Sequence, residues 1–150
     1  MKMPEEHAYK LTLNWDKGRI GTFRSDELEE TIKVATPPEF PGGVEGIWSP
    51  EHLYVASVSS CFMTSFLAVA DYSKLEFESL SIESEGILSK TDGKYVMSKI
   101  ILRPVLVINN ENQESKAYRL LEKADEICLI TRSIKSEVVT EPKVEISVKA

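Results

Sequence analysis

Trp48-Ser49-Pro50-Glu51-His52 opens the stretch that decides the fold, and the eighteen uncharged residues Leu53 to Ala70 complete it. The opening reads as a helix start. Ser49 can accept from the free amides of a first turn, and Pro50 at the first helical position loses no hydrogen bond. Glu51 then lies where the helix dipole favours an anion. From Leu53 onward the chain is apolar on nearly every side, which predicts a buried helix. Four serines, Thr64 and Cys61 make the run too polar for a membrane span, so it reads as a core helix. At helical spacing Tyr54, Ser57, Cys61, Thr64, Ser65 and Ala68 share one stripe, placing the thiol on a small, weakly polar strip. Such a strip suits a reaction centre, and it equally suits close packing of another backbone.

The flanking sequence is rich in strands. Ala8 to Asn14 alternates, Asp16-Lys17-Gly18 forms a turn, and Arg19 to Arg24 returns as the second arm of a hairpin. Glu29 to Ala35 reads as a third strand. Thr36 to Ile47 holds three prolines and three glycines around Phe40 and Val44, so it is a loop of the punctuated kind that often covers a site. Beyond the helix, Phe77 to Leu88 and Lys94 to Ile108 read as long strands joined at Lys90-Thr91-Asp92-Gly93, where Asp-Gly is a strong hairpin signal. Pro104 inside the second predicts an edge or a bulge. Gln113 to Cys128 brings Ala117, Leu120, Leu121, Ala124, Ile127 and Cys128 to helical spacing, an amphipathic helix ending on a cysteine. Val138 to Val148 reads as a last strand. The order βββ–α–ββ–α–β predicts one α+β domain over residues 1–150, mainly antiparallel.

The chain has 150 residues, a net charge of −6 and an isoelectric point near 5.1. That size suits one domain with a real core. The acidic balance, without a basic patch, argues against nucleic acid. The residues Met1 to His7 carry no apolar signal core, and two cysteines make no secreted disulfide framework, so a reducing cytoplasm is expected.

Few groups can do covalent work. Cys61 and Cys128 are the only cysteines, and neither belongs to a Cys-x-x-Cys pair. With His7 and His52 they give no zinc-ligand spacing, and no phosphate loop or dinucleotide fingerprint occurs. A cysteine–histidine acyl-transfer site is a poor reading, because His52 lies nine residues from Cys61, about 13 Å along one helix. Taken singly, each cysteine reads as a small core hydrophobe. Glu51 alone reads as a dipole partner, and Arg19 alone as a solvated surface charge.

Together, Ser49-Pro50-Glu51-x-Leu53, Ser60-Cys61 ten residues past the glutamate, and a second cysteine after an amphipathic helix resemble the OsmC/Ohr family. These are the osmotically induced and organic-hydroperoxide-resistance proteins. The resemblance covers most of the chain, including its length and element order. It implies an intertwined homodimer working as a thiol peroxidase on organic hydroperoxides, without metal or flavin, reduced by an external dithiol such as a lipoylated protein. It makes Cys61 the peroxidatic thiol and Cys128 the resolving one, with Arg19 beside the thiol and Glu51 holding the arginine. Arg24 competes with Arg19 for that role. Phe40, Trp48, Phe62 and Phe66 are candidates for an apolar substrate pocket or for the core. Glu51 stands about 15 Å from Cys61 along an unbroken helix. The Arg19–Glu51 pair that meets a given Cys61 is therefore expected from the other subunit. One departure concerns Cys128, which is followed by Leu129-Ile130-Thr131-Arg132 where family members commonly have proline next and serine two residues later. Two other readings stand beside the peroxidase: a non-enzymatic member binding a small apolar ligand at the dimer interface, and a cysteine redox sensor.

Overall fold

In the computed structural model, which describes residues 5–147, the uncharged stretch is one continuous helix, α1, Pro50–Tyr72. Ser49 starts it as predicted: its Oγ accepts from the amide of His52 at 3.1 Å, and its carbonyl accepts from Leu53 at 3.0 Å. Hydroxyls inside the apolar run turn back on the helix. Ser57, Ser60 and Thr64 each donate to the carbonyl three residues earlier, which removes their demand for outside partners.

The described chain falls into two compact units, one reaching Leu53 and the other beginning at Tyr54. The first holds an antiparallel sheet of β1 (Thr12–Lys17), β2 (Ile20–Ser25) and β3 (Leu28–Ala35), in that order. The first strand begins four residues later than the alternation predicts. The ladder starts where Thr12 pairs with Arg24; beyond it the contact is made by a side chain, the Ser25 hydroxyl donating to the Lys10 carbonyl at 2.8 Å. The turn is Gly18-Arg19 rather than Asp16-Lys17-Gly18, with Gly18 at φ +54. The proline-rich loop closes on itself: Ala35 donates to the Trp48 carbonyl and Val44 to that of Thr36. Gly43 is required there, because a Cβ would come 2.1 Å from the Pro37 carbonyl oxygen.

In the second unit, β4 (Ser79–Thr91) and β5 (Lys94–Ile108) form the long hairpin. Its turn residues Asp92 and Gly93 have φ +50 and +78, the pair of positive values that a two-residue hairpin of this twist requires. Then come α2 (Glu114–Ile127) and a short α3 (Leu129–Ser133) that the sequence did not announce. The predicted last strand is two strands, β6 (Glu137–Thr140) and β7 (Lys143–Ile146), parted at Glu141-Pro142. Both pair parallel with β5; Val148 lies outside the described residues.

Pro104 corrects an expectation. It is neither at an edge nor at the sheet's register shift, which falls between Ile87 and Leu88. β5 is paired on both sides, with β4 on one and β6 and β7 on the other. Its even-numbered carbonyls face β6 and β7, since Leu102 accepts from Glu141 and Ile108 from Ser147. β6 pairs with residues 99–102 and β7 with 105–108. The position that lacks an amide therefore faces the break between the two strands, where no ladder bond is due.

The core of this unit joins one stripe of α1, Val58, Phe62, Phe66 and Ala70, to the even-numbered face of β5 and to Ala117, Leu120, Leu121 and Ala124 of α2. Here too the structure differs from expectation. α1 is buried along that stripe and not all round: Met63 and Leu67 are 40% and 41% exposed. The unit has one sheet and one long partner helix, which cover one side of α1. Among the described residues α1 is the one helix long and apolar enough to cross a bilayer, and its buried stripe makes it a core helix.

Candidate active site

Cys61 is half-buried at the middle of α1, and Cys128 is buried where α2 gives way to α3; both are free thiols. The apolar stripe of α2 carries Cys128 inward. There the backbone turns to φ −64, ψ 108, which ends one helix and caps the next, with Arg132 donating to the Cys128 carbonyl. The Thr131 hydroxyl donates to Cys128 Sγ at 3.3 Å.

Each thiol influences the other, and their environments shift them in opposite directions. Burial pushes the Cys61 thiol up, but the backbone amide of Ile130, the Cys128 side chain, the Ser65 hydroxyl and the Leu129 amide together bring it below its ordinary value. Burial raises Cys128, Thr131 counteracts this through side chain and backbone, and the neighbouring Cys61 raises it further. Cys61 is thus favoured toward thiolate and Cys128 toward thiol. A nucleophilic thiolate beside a protonated thiol is the arrangement that a two-cysteine redox cycle needs.

The other sequence-predicted residues are placed as follows. Arg19 is exposed on the turn between β1 and β2 and lines an open hollow with Leu13, Trp15, Val34, Thr36 and Pro50. Arg24 is exposed on β2. Glu51 is half-buried, with an enclosed Oε1 that has no hydrogen-bond partner, and no ion pair joins it to Arg19 among the described residues. Trp48 is 53% exposed and packs edge-on to the His52 ring at 6.2 Å, beside a second hollow lined by Pro38, Val44 and Ile47. Phe40 is half-buried in the loop. Phe62 and Phe66 are wholly buried, with Phe66 against the Phe77 ring at 5.6 Å, so in this chain they are core side chains.

Four contributors to the thiol pair were not singled out from sequence as chemical groups: Ser65, Thr131 and the amides of Leu129 and Ile130. Ser65, at i+4 from Cys61 and on its stripe, carried a usable signal. The amides carried none, because they depend on α3, a five-residue helix with no periodicity to read. Among the described residues no group of three His, Cys, Asp or Glu side chains is arranged to hold a metal ion.

Residues 43–143 match the family described as OsmC-like protein. The chain is 34% identical to the uncharacterised protein YmaD of Bacillus subtilis over 149 residues, covering 96% of each. Among solved structures, an OsmC-like protein of unknown function from Vibrio cholerae superposes with a TM-score of 0.81 at 28% identity, over 91% of this chain and 99% of that one. An organic hydroperoxide resistance protein OsmC from Legionella pneumophila, also described as a predicted redox protein, gives 0.70 at 27% identity, over 94% and 100%. With the family match spanning more than half of the residues and the fold shared along nearly its whole length, this chain is a member of the OsmC family.

Proposed function

We propose that this protein is a thiol-dependent peroxidase that reduces organic hydroperoxides through Cys61 and Cys128. The observation that carries this reading is that the α1 cysteine and the cysteine at the α2–α3 junction act on each other, with Cys61 shifted toward thiolate and Cys128 toward thiol. The names of similar proteins support the substrate class, including an organic hydroperoxide resistance protein-like chain of Mycoplasma genitalium, 24% identical over 86% of this chain.

The Cys61 thiolate attacks the terminal oxygen of the hydroperoxide. The O–O bond breaks, its electron pair leaves with the alkoxide, and the alkoxide takes a proton to depart as an alcohol. Cys61 is left as a sulfenic acid. Cys128 then attacks the sulfenic sulfur, its proton leaves with the hydroxide as water, and a Cys61–Cys128 disulfide forms. An external dithiol, of which a lipoyl group is one example, restores both thiols by exchange and becomes a disulfide itself.

The working unit in this proposal is a homodimer in the cytoplasm. Met63 and Leu67 on α1 and Leu129 beside Cys128 present apolar surface that a second copy would cover. Glu51 and Cys61 are ten residues apart on one unbroken helix, about 15 Å, a separation that supports an Arg19–Glu51 pair from the other copy near a given Cys61. There the enclosed Oε1 of Glu51 gains the donor it calls for.

The deciding experiment is intact mass and free-thiol count after one equivalent of an organic hydroperoxide without reductant. Loss of two hydrogens and both thiols, abolished in Cys61→Ser, is the expected result. Unchanged mass with two free thiols rejects the peroxidase and leaves the cysteines as packing groups.

A further inference from the structure

Tyr54 lies seven residues before Cys61 on α1, two turns along and on the same face. Its phenol oxygen is 2.6 Å from the Ser136 hydroxyl, eighty-two residues away in sequence. Ser136 in turn donates to the backbone carbonyl of Met97 on β5. A carbonyl only accepts, so the single Ser136 proton is committed there. The proton shared between the two hydroxyls therefore belongs to Tyr54, and the direction of the chain is fixed: Tyr54 to Ser136 to Met97.

This chain closes one end of a segment whose other end is Cys128. Residues 128–136 hold Cys128, the amides that meet Cys61, α3 and the passage to β6. At its start the segment is held by α2, whose Leu121 and Ala124 are buried. Between the ends, Ile130 and Ile134 press against the core. Apolar contacts of that kind fix depth but tolerate sliding. Just past the far end, β6 is paired to β5 from Glu137 onward; the directional contact that reaches back to the helix carrying Cys61 is the Tyr54–Ser136–Met97 chain.

We infer that Tyr54 is a positioning residue for the cysteine pair: through Ser136 it holds segment 128–136 in register with α1 and keeps Cys128 within reach of Cys61. The inference deepens the proposed thiol cycle and rests on it for its biological meaning, but its test does not need a peroxide. In the test, the protein is equilibrated with mixtures of reduced and oxidised dithiothreitol. Protein dithiol plus the cyclic disulfide gives the protein disulfide plus reduced dithiothreitol, and the equilibrium constant reports how well Cys128 is held near Cys61.

Tyr54→Phe keeps the ring and removes the donor; Ser136→Ala removes the relay and serves if the first variant does not fold. Each is expected to lower the equilibrium constant about five- to tenfold, the size of one hydrogen bond. The double variant should be no lower than the weaker single, because both remove one chain of contacts. Tyr118→Phe is the control, since Tyr118 accepts from the Val144 amide on β7 and its loss should leave the constant unchanged. An unchanged or raised constant in both Tyr54→Phe and Ser136→Ala overturns the inference, as does an equal fall in Tyr118→Phe. A wild type that forms the disulfide with dithiothreitol but not with hydroperoxide keeps the positioning role and rejects the peroxidase. A wild type that forms none rejects both.

Discussion

Leu129 occupies the first position of α3, and its amide is one of two backbone donors to Cys61. The residue before it, Cys128, already has the extended backbone that a following proline demands. Leu129→Pro should therefore fold normally while deleting one donor, since proline suits a first helical position. The expected outcome is a Cys61 pKa above that of the wild type, read from the pH dependence of its alkylation. A profile identical to the wild type's would show that the Leu129 amide has no part in activation. The two shifts also tie stability to pH. Cys61 is depressed in the fold, so the unfolded chain binds more protons between its folded and unfolded values, and stability rises with pH across that window. Cys128 is raised, so the opposite holds above the ordinary thiol range, and stability falls there. Urea titrations from pH 6 to 10 should show the rise disappear in Cys61→Ala and the fall disappear in Cys128→Ala. At this scale the sequence was legible where a side chain carries the chemistry, as with Cys61 and Cys128. It was silent where the donor is a backbone amide.

Among the elements, α1 and the β4–β5 hairpin come close together at Gly86. A Cβ there would stand 2.4 Å from Val55 Cγ2 and 2.9 Å from Met97 Cε, and a β-branched valine on a helix has little room to turn away. Gly86→Ala should destabilise the protein by about 1–3 kcal/mol in chemical denaturation. Adding Val55→Ala should make the double variant less destabilised than the sum of the singles. The long elements were read closely from sequence, β5 to the residue, because an alternating run and an Asp-Gly turn leave one register. The short ones were not. α3 has too few residues for a period, and β6 and β7 read as one strand because Pro142 interrupts a run whose apolar alternation continues on both sides.

For the molecule as a whole, the apolar side of α1 sets the expectation of assembly. The chain is 16.9 kDa, and light scattering should return about twice that mass. Replacing Met63 and Leu67 together with aspartate should shift the species toward monomer with the helix content kept, as read by circular dichroism. A monomeric wild type would remove the second copy from the proposed site. The sequence conveyed that α1 is apolar all round, but not that one chain covers only a stripe of it. Periodicity records which residues avoid water and says nothing of which chain shields them.

The break at Glu141-Pro142 has a consequence for what the scaffold can absorb. Because β6 and β7 are each aligned on β5 by their own hydrogen bonds, neither takes its alignment from the link between them. Pro104 opposite that link asks nothing of it. Extra residues spliced in there would loop out of the link and leave both halves of the sheet where they are. The protein thus contains a natural seam, a place where evolution or an engineer can add a reporter peptide or a recognition tag without rewriting the architecture around it.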